Sequence, residues 1–199
     1  MRTQPRRERE RAERHRTILR VARELAEAEG WEAVTTRRLA ERIRYSQPVL
    51  YGHFANKGAI VDALALEGFG ELAAVLEAAR SPHPAPPAGR PAAVFRAYLA
   101  FAGANPALYE AMFTLSTPLS FGTGETPQEL RRSFAVLVEV FAPLTRDGDD
   151  VETFVETAWA ALHGLVLLTR GGRLRPGLER QRLAVLGGCL PAGRGGQEA

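Results

Sequence analysis

Apolar positions along this chain recur at helical spacing, and no stretch alternates convincingly in the period of two that marks a strand. Ile18, Ala22, Leu25 and Ala26 fall at i, i+4, i+7 and i+8, so a helix from about 8 to 29 has one core-facing stripe, with Gly30 as its C-terminal cap. Thr35 can accept from the free N–H groups that open a short helix through Leu39, Ala40 and Ile43, and Ser46 can do the same for a second short helix. Pro48 is tolerated in that helix because its first turn has no hydrogen bond to lose. A longer helix, about 57 to 79, carries Ile60, Leu64, Leu72, Val75 and Leu76. It runs into residues 81–91, SPHPAPPAGRP, whose five prolines in eleven residues read as an irregular connection.

Beyond the connection the pattern lengthens. Val94, Phe95, Tyr98, Leu99 and Phe101 predict a helix ending before Asn105-Pro106, and Leu108, Tyr109, Met112, Phe113 and Leu115 predict the next. Residues 116–126, STPLSFGTGET, read as a loop. Leu130, Phe134, Leu137, Val138 and Phe141 then mark a helix from about 127 to 145. The last long helix, about 149 to 170, has Val151, Phe154, Val155, Ala158, Leu162, Leu165 and Val166 on one face. Trp159, His163 and Leu167 add a second face, so this helix should be covered on two sides. Leu178, Leu183, Leu186 and Leu190 mark a closing helix. The pattern predicts an all-α chain of about nine helices, divided into a small head (1–56) and a larger helical domain (57–199).

Charge sharpens that division. Residues 1–60 hold 14 Lys+Arg against 8 Asp+Glu, whereas residues 61–199 hold 12 against 15. A basic segment on a mildly acidic body is the footprint of a nucleic-acid-binding head or, on charge alone, equally of a solvated basic face. Composition then removes alternatives. No apolar run approaches the roughly 18 residues that span a bilayer, and the N-terminus MRTQPRRERERAERHR lacks the apolar centre of a secretory signal, which places the chain in the cytoplasm without a membrane partner. A single cysteine, Cys189, excludes an internal disulfide, and four scattered histidines argue against a metal site, so no metal or cofactor is expected. No GxSxG, paired-histidine or phosphate-loop motif is present, which argues against an enzyme.

The stretch Gln47–Lys57, QPVLYGHFANK, gives the basic head its chemistry. Two short helices joined by Arg44-Tyr45-Ser46 must cross steeply, which is the helix-turn-helix arrangement, whose second helix enters the major groove. Gln47, Pro48 and Val49 then sit where bases are read, and a glutamine amide can pair with adenine N6 and N7. Tyr51, His53 and Lys57 supply donors suited to the flanking phosphates, and Lys57 also opens the next helix, whose free N–H groups favour an anion. Leu50 and Phe54, at i and i+4, would pack the reading helix down. Arg2, Arg6, Arg7, Arg9 and Arg11 can reach the minor groove as a basic arm, but the interleaved Glu8, Glu10 and Glu13 favour a partly helical tail with occasional phosphate contact.

Residues 30–64, GWEAVTTRRLAERIRYSQPVLYGHFANKGAIVDAL, resemble the DNA-binding head of the TetR family of transcriptional regulators over about residues 10–65. The resemblance implies that Arg37 and Gln47 approach base edges, that Pro48 and Val49 touch thymine methyls, and that Thr36, Tyr51, His53 and Lys57 hold phosphates. The family usually has Ala-Gly-Val in the turn where this chain has Ile43-Arg44-Tyr45. An arginine at a position that often takes positive φ costs about 1 kcal/mol and can offer a compensating phosphate contact from Arg44. NPALYEAMF (105–113) and WAALHGLVLLTRGGRL (159–174) resemble one subgroup of the family's regulatory domains, marked by Trp159, His163 and Gly164. That similarity implies a ligand cavity in the larger domain and a homodimer through the last two long helices, with Gly164 allowing close helix approach. Candidate ligand contacts are Phe101, Tyr109, Met112, Phe113, Phe134, Phe141, Phe154, Trp159 and His163.

A dimer of such heads would place them about 34–36 Å apart, matching successive major grooves of a palindromic double-stranded operator. A small apolar or amphipathic effector that prefers another head spacing would release the DNA, which is the behaviour of a repressor. The alternative is a helical adaptor whose basic surface docks a protein and has no DNA target.

Overall fold

A computed structural model of the chain describes residues 4–80, 90–146 and 148–189. Among them are nine α-helices and no strand: α1 (Gln4–Glu29), α2 (Thr36–Ile43), α3 (Gln47–Tyr51), α4 (Lys57–Arg80), α5 (Arg90–Ala104), α6 (Pro106–Phe113), α7 (Gln128–Phe141), α8 (Val151–Arg170) and α9 (Glu179–Cys189). The predicted all-α fold is what the chain adopts. Residues 81–89, most of the proline-rich connection, lie outside the described residues, as do Arg2 and Leu190.

Several helix ends differ from the pattern for local reasons. Helix α1 starts four residues early, at Gln4, and the ion pair between Arg6 and Glu10 at 3.0 Å spans the added turn. Helix α7 stops at Phe141 instead of reaching 145. Pro143 has no N–H to continue it, and the backbone tightens into a 3₁₀ turn, Ala142–Leu144. Helix α8 begins at Val151 because the Asp150 carboxylate caps it, accepting from the Thr153 N–H at 2.8 Å. That hydrogen bond holds the Asp150 carboxyl below its ordinary value.

The chain divides into two compact units. Unit one comprises Met1–Phe69 with Asn105–Pro127, and unit two comprises Gly70–Ala104 with Gln128–Ala199. The predicted boundary at residue 56 falls inside unit one.

Unit one packs Ile18, Leu19 and Leu25 of α1 against Leu39, Leu50, Phe54, Ile60 and Leu64, all of them buried. Helix α6 belongs to this unit as well. Glu27 of α1 accepts from the backbone N–H groups of Ala107 and Leu108 at 2.9 and 3.0 Å, satisfying two donors that the start of α6 leaves free. Trp31 is buried and donates its indole N–H to the Ala107 carbonyl at 2.8 Å, while Arg23 donates to Asn105 Oδ1 at 2.8 Å. Gly68 lets α4 meet α6 closely, since a Cβ there would lie 2.7 Å from Met112 Sδ.

Unit two is built on α5, α7 and α8. Phe95 and Phe141 stack at 5.0 Å, and the buried Tyr98 accepts from the Trp159 indole N–H at 2.9 Å. Arg132 grips both carboxylate oxygens of Glu77, and Arg80 pairs with Glu139. Helix α8 buries one face through Val155, Ala158, Leu162 and Val166. The second face, predicted to be covered, is only partly covered among the described residues: Trp159 and His163 are half-buried, and Leu167 and Leu168 are 40% and 43% exposed. By length and composition alone α8 is apolar enough to cross a membrane, but Glu152, Glu156 and His163 break its apolar positions, so no unbroken run of that length is present in it.

Candidate nucleic-acid interface

The head presents its chemistry by burying one stripe of a very short helix. Thr35 caps α2, accepting from the Arg38 N–H at 3.2 Å as its position predicted. The turn that follows passes through Arg44 at φ 56°, ψ 39°, in the left-handed region, and the Tyr45 N–H closes it on the Ala40 carbonyl at 3.0 Å. Arg44 is the only non-glycine residue with positive φ among the described residues. The turn therefore keeps the geometry usual for a glycine despite the arginine, at about 1 kcal/mol of strain.

Ser46 precedes α3, but its hydroxyl makes no capping bond; its carbonyl accepts from Val49 and Leu50 instead. Pro48 occupies the first turn, where no hydrogen bond is lost. The helix is closed by the Gly52 N–H on the Pro48 carbonyl and the Phe54 N–H on the Leu50 carbonyl. Leu50 and Phe54 point into the core at 1% and 6% exposure. Gln47, Pro48, Val49 and Tyr51 consequently face outward, and Tyr51 is 52% exposed. Within the five residues of α3, Leu50 anchors the helix and the other four face solvent, with Phe54 just beyond its end as a second anchor.

The remaining predicted contacts surround this helix. The Tyr51 hydroxyl lies 3.5 Å from the Thr36 hydroxyl, so the two donors assigned to phosphate adjoin. Arg37 is exposed, held loosely by Glu41 at 3.3 Å. Lys57 is half-buried and donates to the Trp31 carbonyl, a structural bond that sequence did not suggest. An ammonium has two further protons to offer. His53 is part-buried near the end of α3. Burial first, then the nearby His15, Arg11 and Arg14, keep its imidazole below the ordinary value of 6.5.

A cleft of about 650 Å³ runs beside α3, lined by Arg7, Glu10, Arg11 and Arg14 of α1 and by Val49, Gly52 and His53. His15 stacks on Phe54 at 4.5 Å and so ties α1 to the base of this cleft. Arg14 and His15 were not among the sequence candidates. Their signal was the i, i+4, i+7 spacing of Arg7, Arg11 and Arg14, which puts three cations on one helical face. Glu27 and Trp31 were also missed, although a carboxylate beside an apolar stripe and a tryptophan after a helix-ending glycine both ask for partners.

The predicted ligand residues are placed differently. Tyr109, Met112 and Phe113 lie in unit one, where Tyr109 and Phe113 pack ring to ring at 4.6 Å and Phe69 meets Phe113 edge-on at 5.2 Å. Phe101, Phe134, Phe141, Phe154, Trp159 and His163 lie in unit two, with Trp159 and His163 6.3 Å apart. Phe101, Tyr109, Met112 and Phe141 are buried, whereas Phe113, Phe134, Phe154, Trp159 and His163 retain partial exposure. A small cleft in unit two, about 140 Å³, is lined instead by Leu99, Gly103, Leu165, Arg170, Glu179 and Arg182 among others.

With this geometry in view, the relatives are informative. Residues 18–64 match the description "Bacterial regulatory proteins, tetR family", and residues 91–186 match "Tetracyclin repressor-like, C-terminal domain". The class C tetracycline repressor of Escherichia coli is 56% identical over 48 residues, which are 24% of this chain and 22% of that repressor. The class G repressor of Vibrio anguillarum is 48% identical over 48 residues, 24% of this chain and 23% of that one. The chain thus matches less than a quarter of the length of these curated relatives. A solved protein of unknown function from Rhodococcus sp. RHA1 superposes with a TM-score of 0.71 at 26% identity, covering 88% of this chain and 92% of the other. The transcriptional regulator FadR from Bacillus subtilis, solved in complex with stearoyl-CoA, shares the fold at TM-score 0.63 and 16% identity, covering 85% of this chain and 96% of that one. Two family descriptions spanning more than two thirds of the chain, on a head whose reading helix is exposed, place this protein in the TetR family of transcriptional regulators, which are not enzymes.

Proposed function

We propose that the chain is a cytoplasmic repressor that binds palindromic operator DNA as a homodimer and lets go when a small apolar or amphipathic effector binds unit two. The observation that supports the DNA half is the outward face of α3. Gln47, Pro48, Val49 and Tyr51 are exposed on a helix whose one buried stripe is pinned by Leu50 and Phe54. Val49 and Tyr51 are exposed beside the polar Gln47 on one short helix, an arrangement suited to covering by a partner's surface. Gln47 reads an adenine, Pro48 and Val49 contact thymine methyls, and Arg37 approaches a base edge. Thr36, Arg44, Tyr51, His53 and Lys57 hold phosphates on either side, and Ser46 supplies a hydroxyl at the helix start.

Dimerisation is supported by α8 and α9. Leu167 and Leu168 are exposed on α8, and Val185 on α9 is 66% exposed. Gly164 faces open space, where a second helix can approach without meeting a side chain. The effector reading rests on the part-exposed aromatics of unit two, Phe134, Phe154 and Trp159, with His163 beside them. An amphipathic effector also agrees with the stearoyl-CoA bound by the Bacillus subtilis neighbour.

Capture of genomic fragments on the purified protein, followed by footprinting, tests the reading. A palindromic protected site supports it and supplies an assay for effectors that release the DNA. No enrichment at low salt, together with a tight protein partner, overturns it in favour of an adaptor.

A further inference from the structure

Helix α1 is longer than its core requires. Its first buried residue among those described is Ile18, so of the turns before it only the last, through His15, packs on the core. Residues 4–16 instead carry six arginines against three glutamates. Three of those arginines, Arg7, Arg11 and Arg14, line the cleft that Val49, Gly52 and His53 close from the other side. They sit at i, i+4 and i+7 and span about 10 Å of helix axis. None of the three forms an ion pair among the described residues, whereas Arg6, on another face, is held by Glu10. Glu10 lines the cleft too, and its charge is offset by Arg6. The stack of His15 on Phe54 fixes the helix at the inner end of the cleft, so the stripe points to the same side as Val49.

We infer that this N-terminal extension of α1 is a second DNA-contacting surface: Arg7, Arg11 and Arg14 lie along the sugar-phosphate backbone beside the groove that α3 enters, with His53 completing the row. The inference rests on the DNA-binding reading and extends it to residues outside the helix-turn-helix. Three unpaired guanidiniums on one face suit a line of phosphates, which they can grip in bidentate fashion without reading sequence. The positive potential of the cleft is already felt inside the protein, since after burial and His15 both Arg11 and Arg14 help to lower the His53 imidazole below its ordinary value. A phosphate placed in the cleft would relieve that repulsion. The helical form matters as well, because a rigid stripe loses less freedom on binding than a disordered basic tail.

The test compares the full-length protein with the R7Q/R11Q/R14Q variant, using R9Q/R16Q as a matched control for charge on the other faces of the helix. Glutamine keeps helix propensity, and circular dichroism checks that each variant is folded. Binding to a 40-base-pair duplex of mixed sequence is measured across a salt series, and hydroxyl-radical footprinting is run on any fragment recovered by genomic capture. The triple variant should bind at least tenfold more weakly at about 0.1 M salt, with a salt slope shallower by roughly three per head, because each phosphate contact contributes about 0.9 to the slope. It should also lose protection at backbone positions flanking the groove contacted by α3, while the control changes the slope by less than about one. An unchanged slope and footprint in the triple variant, or an equal loss per charge in the control, overturns the inference and leaves the DNA reading intact. Failure of the wild-type protein to bind duplex at any salt overturns the DNA reading itself.

Discussion

The two compact units differ in how directly their residues state a purpose. In unit one a five-residue helix exposes Gln47, Pro48, Val49 and Tyr51 while burying Leu50, and its neighbours Thr36, Arg37 and Lys57 are polar by necessity. Core packing alone accounts for none of those outward residues. In unit two the conspicuous residues are aromatic, and Phe95, Tyr98, Phe101 and Phe141 are all buried in the core. A polar group facing outward at a fixed spacing is informative because folding does not require it, whereas an aromatic group at helical spacing satisfies folding first. Among the relatives, identity of about half extends over some 48 residues, 24% of the chain.

The comparison can be broken or sharpened by substitution, beginning where the head is most rigid. Trp31→Ala removes a buried indole and its hydrogen bond to Ala107, and should destabilise the protein by about 3–5 kcal/mol in chemical denaturation. A loss below about 1 kcal/mol would show that α6 is not bolted to α1 in solution. Gln47→Ala should leave stability unchanged and weaken binding by about 1–3 kcal/mol through one base position, read by competition with singly substituted duplexes. Equal weakening for every duplex would reassign Gln47 to the backbone.

Gly164→Leu probes unit two. Because a Cβ there meets nothing within 4 Å, the monomer should tolerate the substitution, while association, followed by sedimentation, weakens by about 1–3 kcal/mol. Unaltered association would remove Gly164 from the proposed dimer face. Arg44→Gly should separate stability from function. Relief of the left-handed conformation stabilises the head by about 1 kcal/mol, and loss of the guanidinium weakens DNA binding at low salt. If both fall together, the turn is not strained.

The smallest effect is on pH. His53 and His163 both have imidazoles held below 6.5, the first by burial and neighbouring cations and the second by burial. The unfolded chain therefore takes up protons before the folded one does. Their contribution to stability is complete above about pH 6.5 and is lost as pH falls below it. His53→Gln and His163→Gln should each flatten the acid side of the stability profile, and an unaltered profile would contradict the assignment.

The sequence was most legible where one interaction governs. Thr35 as a cap, Pro48 in a first turn, and the Leu50–Phe54 stripe are local, and the structure has each as expected. The all-α pattern was equally clear, because the apolar period extends over whole helices. What was illegible depends on partners far apart in sequence. Nothing near Glu27 announces that it caps a helix eighty residues later, and nothing near Lys57 announces its bond to the Trp31 carbonyl. The second face of α8 was misjudged for a related reason. Periodicity reports that Trp159, His163 and Leu167 want cover, but it does not say whether the cover lies in the same chain.

Selection of duplexes from a random-sequence pool by the purified protein tests the central claim most directly, with Gln47→Ala run in parallel. The account predicts a palindromic motif for the wild type and, for the variant, the same motif relaxed at one position in each half-site. Failure to enrich any motif at low salt, or a motif identical for both proteins, would contradict the assignment of α3 as the element that reads DNA.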